Sequence, residues 1–172
     1  SGGFQLSGKT VGVIGLGYTG TEIIRLIKPF GCRVIGNDIL DKSNLCKELN
    51  IELVKKNQLF RQSDFILLHT QLTNLTHHLI NAETLNIMKP TALLINTARG
   101  PIVNQHDLKN ALAKGKIAGA ALDVYEDEPP TDLEFLRLPN LLCTPHIGGN
   151  AEEAVIAMGM SAIGHIKEFF GK

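Results

Sequence analysis

The stretch Gly15-Leu16-Gly17-Tyr18-Thr19-Gly20 follows the short apolar run Thr10–Ile14 and opens a segment with helical periodicity. Its pattern, G-x-G-x-x-G, is typical of a turn that joins a strand to a helix and binds a dinucleotide. Gly15 permits the tight turn, Gly17 lets the backbone approach a pyrophosphate, and Gly20 lets the helix pack closely. The free N–H groups and the positive dipole end of the helix would then face the phosphates.

Asp38 follows the next predicted strand, Arg33–Asn37, where an acidic side chain can accept hydrogen bonds from the adenosine ribose hydroxyls. Its charge would repel a 2′-phosphate, and Ile39 and Leu40 offer no arginine to bind one. The sequence therefore predicts NAD rather than NADP as the cofactor. A glycine-rich turn that merely connects two elements is the alternative, and the strand, the helix and Asp38 around the turn argue against it.

Strand and helix patterns alternate along the rest of the chain. Further apolar strand patterns lie at 51–54, 65–68, 92–95, 117–122 and 141–144, with helical patterns between them. This alternation predicts an α/β fold of the Rossmann type, a doubly wound parallel sheet with helices on both faces. A closing helix is predicted at 151–170, and its apolar stripe is interpreted as core packing: Val155, Gly159, Ala162, Ile166 and Phe169.

The composition excludes several other classes of protein. The chain has 172 residues, of which 44% are hydrophobic, as in an ordinary globular domain with a full core. Lys plus Arg and Asp plus Glu both number 17, so a zero net charge gives no electrostatic reason to expect nucleic acid or an anionic membrane. No apolar run approaches the ~18 residues of a membrane span. Three cysteines without a Cys-x-x-Cys motif predict free thiols and a reducing, cytoplasmic compartment.

Polar residues follow the later predicted strands, at the sheet edge where ligands of such folds bind. They are His69-Thr70, Thr97-Ala98-Arg99-Gly100, Asp123, Glu126-Asp127-Glu128-Pro129 and Thr144-Pro145-His146-Ile147-Gly148-Gly149. Arg99 can bind a carboxylate through two parallel hydrogen bonds, and His146 can take a hydroxyl proton as hydride leaves for a nicotinamide. Glu128 beside the imidazole would favour its protonated form and fix its tautomer. Taken singly, each could be an ordinary surface or loop residue.

The joint pattern resembles the D-isomer-specific 2-hydroxyacid dehydrogenases. The resemblance covers nearly all of residues 6–170, and it is carried by the glycine turn, Asp38, Asn96-Thr97-Ala98-Arg99-Gly100, the segment 121–130 and Thr144-Pro145-His146-Ile147-Gly148-Gly149. It implies NAD as cofactor and a small 2-hydroxy or 2-oxo acid as substrate. It also implies that Arg99 binds the substrate, that His146 is the acid/base and that Glu128 pairs with His146, which makes these the three expected catalytic residues.

Cofactor contacts follow from the same resemblance, which places Asp123 near the nicotinamide carboxamide. The expected set is Gly15, Gly17, Tyr18, Thr19, Gly20, Asp38, Thr70, Thr97, Ala98, Arg99, Asp123, His146, Gly148 and Gly149. No metal site is expected, because the adjacent His77 and His78 have no further ligand at suitable spacing. Gln71 departs from the family, which usually has proline after His-Thr.

Family members have two domains, and residues 4–172 correspond to the NAD-binding domain alone, without the substrate-binding domain. Ser1-Gly2-Gly3 is interpreted as a cloning remnant. We therefore expect this chain to bind NAD but to turn over 2-hydroxy acids poorly or not at all, since closure and water exclusion need the other domain. The family commonly dimerises through this domain, which predicts a homodimer for the full-length protein.

The sequence leaves the exact function open. Phosphoglycerate, hydroxypyruvate or glyoxylate, and D-lactate are the expected substrate classes. The residues of the motifs around Arg99 and Glu128 slightly favour phosphoglycerate. An NAD(H)-sensing transcriptional corepressor of the same family would keep the same three residues. A nucleotide-binding module without a redox role is the third alternative.

Overall fold

The computed structural model describes residue 3 and residues 5–171, so most of the predicted cloning remnant, Ser1 and Gly2, lies outside the described residues, as do Phe4 and Lys172. The strands of the described part are β1 (Thr10–Ile14), β2 (Arg33–Asn37), β3 (Glu52–Leu53), β4 (Phe65–Leu68), β5 (Leu93–Asn96), β6 (Gly119–Leu122) and β7 (Leu141–Cys143). Its α-helices are α1 (Tyr18–Ile27), α2 (Ser43–Glu48), α3 (Lys56–Gln62), α4 (Ala82–Ile87), α5 (Gln105–Ala113), α6 (Leu133–Leu136) and α7 (Glu152–Phe170).

All neighbouring strands are parallel, in the order β3-β2-β1-β4-β5-β6-β7. The chain builds the sheet outward from β1 to β3, then returns to add β4 on the other side of β1. Ile14 pairs with both Asn37 and Leu68, so the carboxyl ends of these three strands are level. The loops that leave β1 and β4 diverge there, and this switch point is where such sheets form a ligand crevice.

Helices cover both faces of the sheet because alternate strand residues point to opposite sides. Val11 and Val13 pack with Ile24 of α1 and Cys46 of α2 on one face. Ile14 points to the other face, where the larger core contains a buried side chain from each of α3, α4, α5 and α6: Phe60, Leu85, Leu108 and Phe135. The predicted doubly wound α/β fold is confirmed.

The helix α4 follows the capping residue Asn81. The side-chain oxygen of Asn81 accepts a hydrogen bond from the Thr84 amide, and the Thr84 hydroxyl accepts one from the Asn81 amide. The four-residue helix α6 was not predicted, because one turn is too short to show periodicity. It begins at Asp132, whose carboxylate accepts a hydrogen bond from the Phe135 amide.

The closing helix α7 corrects one prediction. Its bounds agree with the apolar periodicity, but none of its described residues is buried. Val155, Ile166 and Phe169, three members of the predicted core stripe, are 53, 58 and 76% exposed. The stripe is therefore not part of the core, because no other described segment of the chain covers it. Within the described residues, no helix is long and apolar enough to cross a membrane.

Candidate functional site

The glycine turn after β1 is shaped by two close backbone approaches. Gly15 has φ +93°, and a Cβ atom added there would lie 2.5 Å from the backbone oxygen of His69. A Cβ at Gly20 would lie 2.0 Å from the Gly15 oxygen. Both positions therefore require glycine, as the motif predicted. Gly17 is different, because a Cβ there would meet no atom within 4 Å and would project into open space.

The start of α1 fits the phosphates of a dinucleotide. Gly17 is the N-cap residue, and no side chain caps the helix, so its first N–H groups have no partner within the helix. The open space at Gly17 belongs to a cavity of about 510 Å³ at the switch point. Half of the predicted cofactor contacts line this cavity: Gly17, Tyr18, Thr19, Thr70, Thr97, Ala98 and Arg99.

Asp38 braces the glycine turn from the end of β2. Its Oδ2 accepts a hydrogen bond from the Leu16 amide (2.7 Å), and its Oδ1 accepts one from the Leu40 amide (2.9 Å). Because a carboxylate oxygen can accept two hydrogen bonds, each oxygen keeps capacity for a hydroxyl group. Asp38 lines a smaller cavity of about 80 Å³ together with Gly15 and Thr70. These contacts are compatible with the predicted binding of a ribose.

Arg99 lies exposed after β5, on the wall of the larger cavity. Its Nη1 donates a hydrogen bond to the Ala98 oxygen (2.5 Å), and no carboxylate of the described residues is within ion-pair distance of it. The fully buried Asn96 holds this turn, because its side chain donates to the Arg99 oxygen and accepts from the Ala98 amide. The guanidinium is therefore positioned and is free to bind an anion.

His146 and Glu128 form the pair that the sequence predicted. His146 Nδ1 lies 2.8 Å from Glu128 Oε2, and Glu128 Oε1 accepts a hydrogen bond from the Tyr125 amide (3.0 Å). The hydrogen bond with His146, followed by that with Tyr125, holds the pKa of Glu128 below its ordinary value. An ionised carboxylate only accepts hydrogen bonds, so Nδ1 carries the proton and Nε2 is left to exchange a proton with a ligand. His146 has φ +54°, an unusual backbone conformation for a residue with a side chain.

A family model described as D-isomer specific 2-hydroxyacid dehydrogenase, NAD binding domain, matches residues 1–148. The chain belongs to this family. Membership confirms the family resemblance seen in the motifs, and it confirms NAD as the cofactor for which the domain is built. The open space at Gly17 and the uncapped start of α1 agree with that cofactor.

Individual members of the 2-hydroxyacid dehydrogenase family are similar over almost the whole chain. D-3-phosphoglycerate dehydrogenase of Methanocaldococcus jannaschii is 42% identical over 167 residues, which are 96% of this chain and 32% of that protein. Glyoxylate reductase of Thermococcus onnurineus is 44% identical over 146 residues, 85% of this chain and 44% of that protein. The apo crystal structure of D-mandelate dehydrogenase from Rhodotorula graminis matches with a TM-score of 0.90 at 33% identity, over 96% of this chain and 49% of the other. The chain thus spans less than half of each relative.

Asp123 has a role in the candidate site that the sequence did not reveal. The side chain is only 6% exposed, and it accepts hydrogen bonds from the Thr144 hydroxyl and from the Ile147 and Gly148 amides at 2.5 to 2.9 Å. Burial raises the pKa of Asp123, but the three hydrogen bonds and the nearby His146 outweigh burial and leave the pKa below its ordinary value. Asp123 therefore fixes the loop that carries His146.

The predicted site residues form two groups along the sheet edge. The glycine turn, Thr70, Thr97, Ala98 and Arg99 surround the larger cavity, whereas Asp123, Glu128 and His146 form the hydrogen-bonded cluster beyond β6 and β7. Gly148 bonds to Asp123, and Gly149 faces open space. No group of three metal-ligating side chains occurs within the described residues. The contacts of the predicted site residues with cofactor and substrate stay predictions.

Proposed function

We propose that this chain is the NAD-binding domain of an oxidoreductase that transfers a hydride between NAD and a D-2-hydroxy acid. The observation that carries the proposal is the hydrogen bond from His146 to ionised Glu128, at the same sheet edge as the unpaired Arg99. This combination supplies a group that can move a proton and a cation that can bind a carboxylate. Both are needed for the oxidation of an alcohol next to a carboxylate.

Each part of the site has a distinct task in this proposal. The N–H groups at the start of α1 hold the pyrophosphate, and Asp38 accepts hydrogen bonds from the adenosine ribose. NAD supplies or accepts the hydride when it is bound. Arg99 orients the substrate carboxylate. His146 takes the hydroxyl proton during oxidation and returns it during reduction, while Glu128 keeps the imidazole in the tautomer that leaves Nε2 available.

The substrate class follows from Arg99 and from the relatives. A D-3-phosphoglycerate dehydrogenase and a glyoxylate reductase share more than 40% identity with this chain. We infer a small 2-hydroxy or 2-oxo acid, in the phosphoglycerate, hydroxypyruvate/glyoxylate or D-lactate class. The relatives reported above are dehydrogenases or reductases, so they lend no support to the corepressor alternative. Because the chain spans less than half of each relative reported above, we expect the isolated chain to bind NAD with little turnover, which an NADH absorbance assay measures.

Assembly and compartment are proposed on separate grounds. The exposed apolar surface of α7 supports a homodimer of the full-length protein, since contiguous apolar patches of this kind mark interaction sites. The three cysteines of the chain are free, which supports a reducing, cytoplasmic compartment: Cys32, Cys46 and Cys143. Zero net charge gives no reason to expect nucleic acid or a membrane as a partner.

The proposal is tested by His146→Asn in the longer polypeptide that contains this chain. Asparagine tolerates positive φ, so the variant removes the imidazole without adding backbone strain. We expect kcat to fall by about 10²- to 10⁴-fold while the dissociation constant for NAD changes less than about threefold. His106→Asn is the matched control, because His106 is exposed on α5. Equal losses of NAD affinity and turnover would assign His146 a structural role instead.

A further inference from the structure

His78 is bonded to the candidate site, and the proposed function gives this residue no role. It lies between β4 and α4 with φ +49°, and its amide donates a hydrogen bond to the Pro101 oxygen (2.9 Å). Pro101 belongs to the short 3₁₀ turn Gly100–Ile102 that directly follows Arg99. The backbone of His78 is therefore bonded to the segment that positions Arg99.

The side chain of His78 reaches in another direction, toward the loop after β6. Its Nε2 lies 2.6 Å from Glu126 Oε1, and both side chains are 32% exposed. The second oxygen of Glu126 accepts a hydrogen bond from the Gln105 amide (3.1 Å), at the first residue of α5. Both carboxylate oxygens of Glu126 are thus occupied, one by a histidine ring and one by a helix amide.

Glu126 lies two residues before Glu128 and directly after Tyr125, whose backbone is hydrogen-bonded to Glu128. The Tyr125 amide donates to Glu128 Oε1, so the direction of this backbone sets the direction of the Glu128 carboxylate. The Tyr125 oxygen packs so closely against Gly100 that a Cβ there would lie 1.7 Å from it. A shift of the loop at Glu126 would therefore move Tyr125 and the hydrogen bond that it makes to Glu128.

We propose that His78 and Glu126 form a positioning pair that sets the orientation of Glu128, and through Glu128 that of His146. The pair joins the segment after Arg99 to the loop that carries Glu128, so it also fixes the position of these two parts of the site relative to each other. Neither residue touches cofactor or substrate in this account. The catalytic meaning of the pair rests on the proposed function, whereas its effect on Glu128 is a property of this chain alone.

The test is the pKa of the Glu128 carboxyl, measured in this chain by carbon-detected NMR. Glu126→Ala removes both contacts of Glu126, and we expect the Glu128 pKa to rise toward its ordinary value of 4.5 as its hydrogen bonds loosen. Loss of the Glu126 charge alone would lower the Glu128 pKa, because a like charge disfavours ionisation. A rise in the Glu128 pKa therefore cannot come from loss of the Glu126 charge itself and indicates lost positioning.

Three further variants complete the experiment. Asp127→Ala removes an exposed charge next to Glu128 and should not raise the Glu128 pKa. Glu126→Gln keeps an acceptor of the same length and should preserve most of the wild-type value. Gln105→Pro removes only the amide that binds Glu126, at a first helical position where proline is tolerated, and should give a smaller rise. It decides the question if Glu126→Ala fails to fold.

An unchanged or lower Glu128 pKa in Glu126→Ala would overturn the proposal. If Glu126→Ala does not fold, the absence of a rise in the Glu128 pKa in Gln105→Pro would overturn it. In the longer polypeptide we expect Glu126→Ala to lower kcat about tenfold with an unchanged dissociation constant for NAD, as a displaced acid/base would. A rise in the pKa without any hydride transfer by the wild-type polypeptide would refute the proposed function and leave the positioning pair standing.

Discussion

Gly17 and Gly20 belong to one motif but have opposite surroundings. Gly20 is packed against the Gly15 oxygen, whereas Gly17 faces the cavity at the start of α1. The motif indicates that both are needed, but only the structure shows that the fold requires one of them and that the open space at the other is available to a ligand.

We expect Gly17→Ser and Gly20→Ala to separate folding from binding. Serine is a good N-cap residue and has room at Gly17, so the free energy of unfolding should stay within about 0.5 kcal/mol, while NAD affinity falls because the side chain occupies the phosphate space. Gly20→Ala should cost about 1–3 kcal/mol through overpacking. Urea denaturation and calorimetric titration with NAD measure the two effects. Loss of stability in Gly17→Ser would contradict this division.

Asp123 predicts a specific acid dependence of stability. Its folded-state pKa is below the ordinary value of 3.8, so its hydrogen bonds stabilise the fold above that pH and this contribution is lost as the pH falls through the lower folded value. Asp123→Asn should therefore be less stable than wild type at pH 7 and lose less stability between pH 4 and pH 2. Unfolding curves across this range, with the exposed Asp127→Asn as control, test the prediction. Parallel curves for the Asp123 variant and wild type would contradict it.

Residue-scale prediction succeeded where a motif fixed the contact and failed where the contact depends on strand pairing. The Glu128–His146 hydrogen bond was expected and is present. The bracing roles of Asn96 and Asp123 were not expected, because Asn96 turns its side chain back on its own loop and Asp123 acts on a loop that only the tertiary structure brings near. A polar side chain at a buried strand end is the signal that could have marked both.

At the scale of elements, apolar runs located the strands and the closing helix within one or two residues. The strand β5 begins at Leu93 rather than at 92, and β6 begins at Gly119 rather than at 117. The helix α7 was placed correctly but assigned to the wrong environment. Periodicity shows that a helix has an apolar face, but it carries no information about which surface covers that face.

Removal of α7 is the corresponding test. Since none of its described residues is buried, a chain that ends at Asn150 should unfold with a free energy within about 0.5 kcal/mol of the longer chain. Equilibrium urea unfolding measures this, and sedimentation should show weaker self-association in the shortened chain, which lacks the apolar helix surface. A loss of more than about 2 kcal/mol would mean that α7 packs on the domain in solution.

At the scale of the molecule, the strand order decides where the site lies. The chain adds β2 and β3 on one side of β1 and β4 to β7 on the other, and this change of side opens a crevice between the loops that follow β1 and β4. The glycine turn, Asp38 and Arg99 all lie along the same sheet edge. Alternating strand and helix patterns predicted this arrangement. The substrate itself was not predictable, because this chain spans less than half the length of the relatives reported above.

Cofactor choice is a property of the whole crevice that Asp38 should dominate. We expect NAD at 100 times its dissociation constant to stabilise the chain by about 2.7 kcal/mol, and NADP to bind much more weakly because its 2′-phosphate would face the carboxylate. Asp38→Asn keeps an acceptor for the Leu16 amide and should reduce the difference in affinity between NAD and NADP. Calorimetric titration with both cofactors tests this, and equal affinities for wild type would refute it.

The position of β1 at the centre of the sheet also has a consequence for how the chain is made. Its neighbour β4 follows β2 and β3 in the sequence, and the hydrogen bond from the Thr10 amide to Asp64 spans 54 residues. Closing a loop of that length costs roughly 3.5 kcal/mol of chain entropy before any contact across it forms. During synthesis from the N-terminus, β1 and β2 can pair early, but one edge of β1 stays unpaired until β4 has emerged. That interval is when the nascent chain is most exposed to wrong strand pairing.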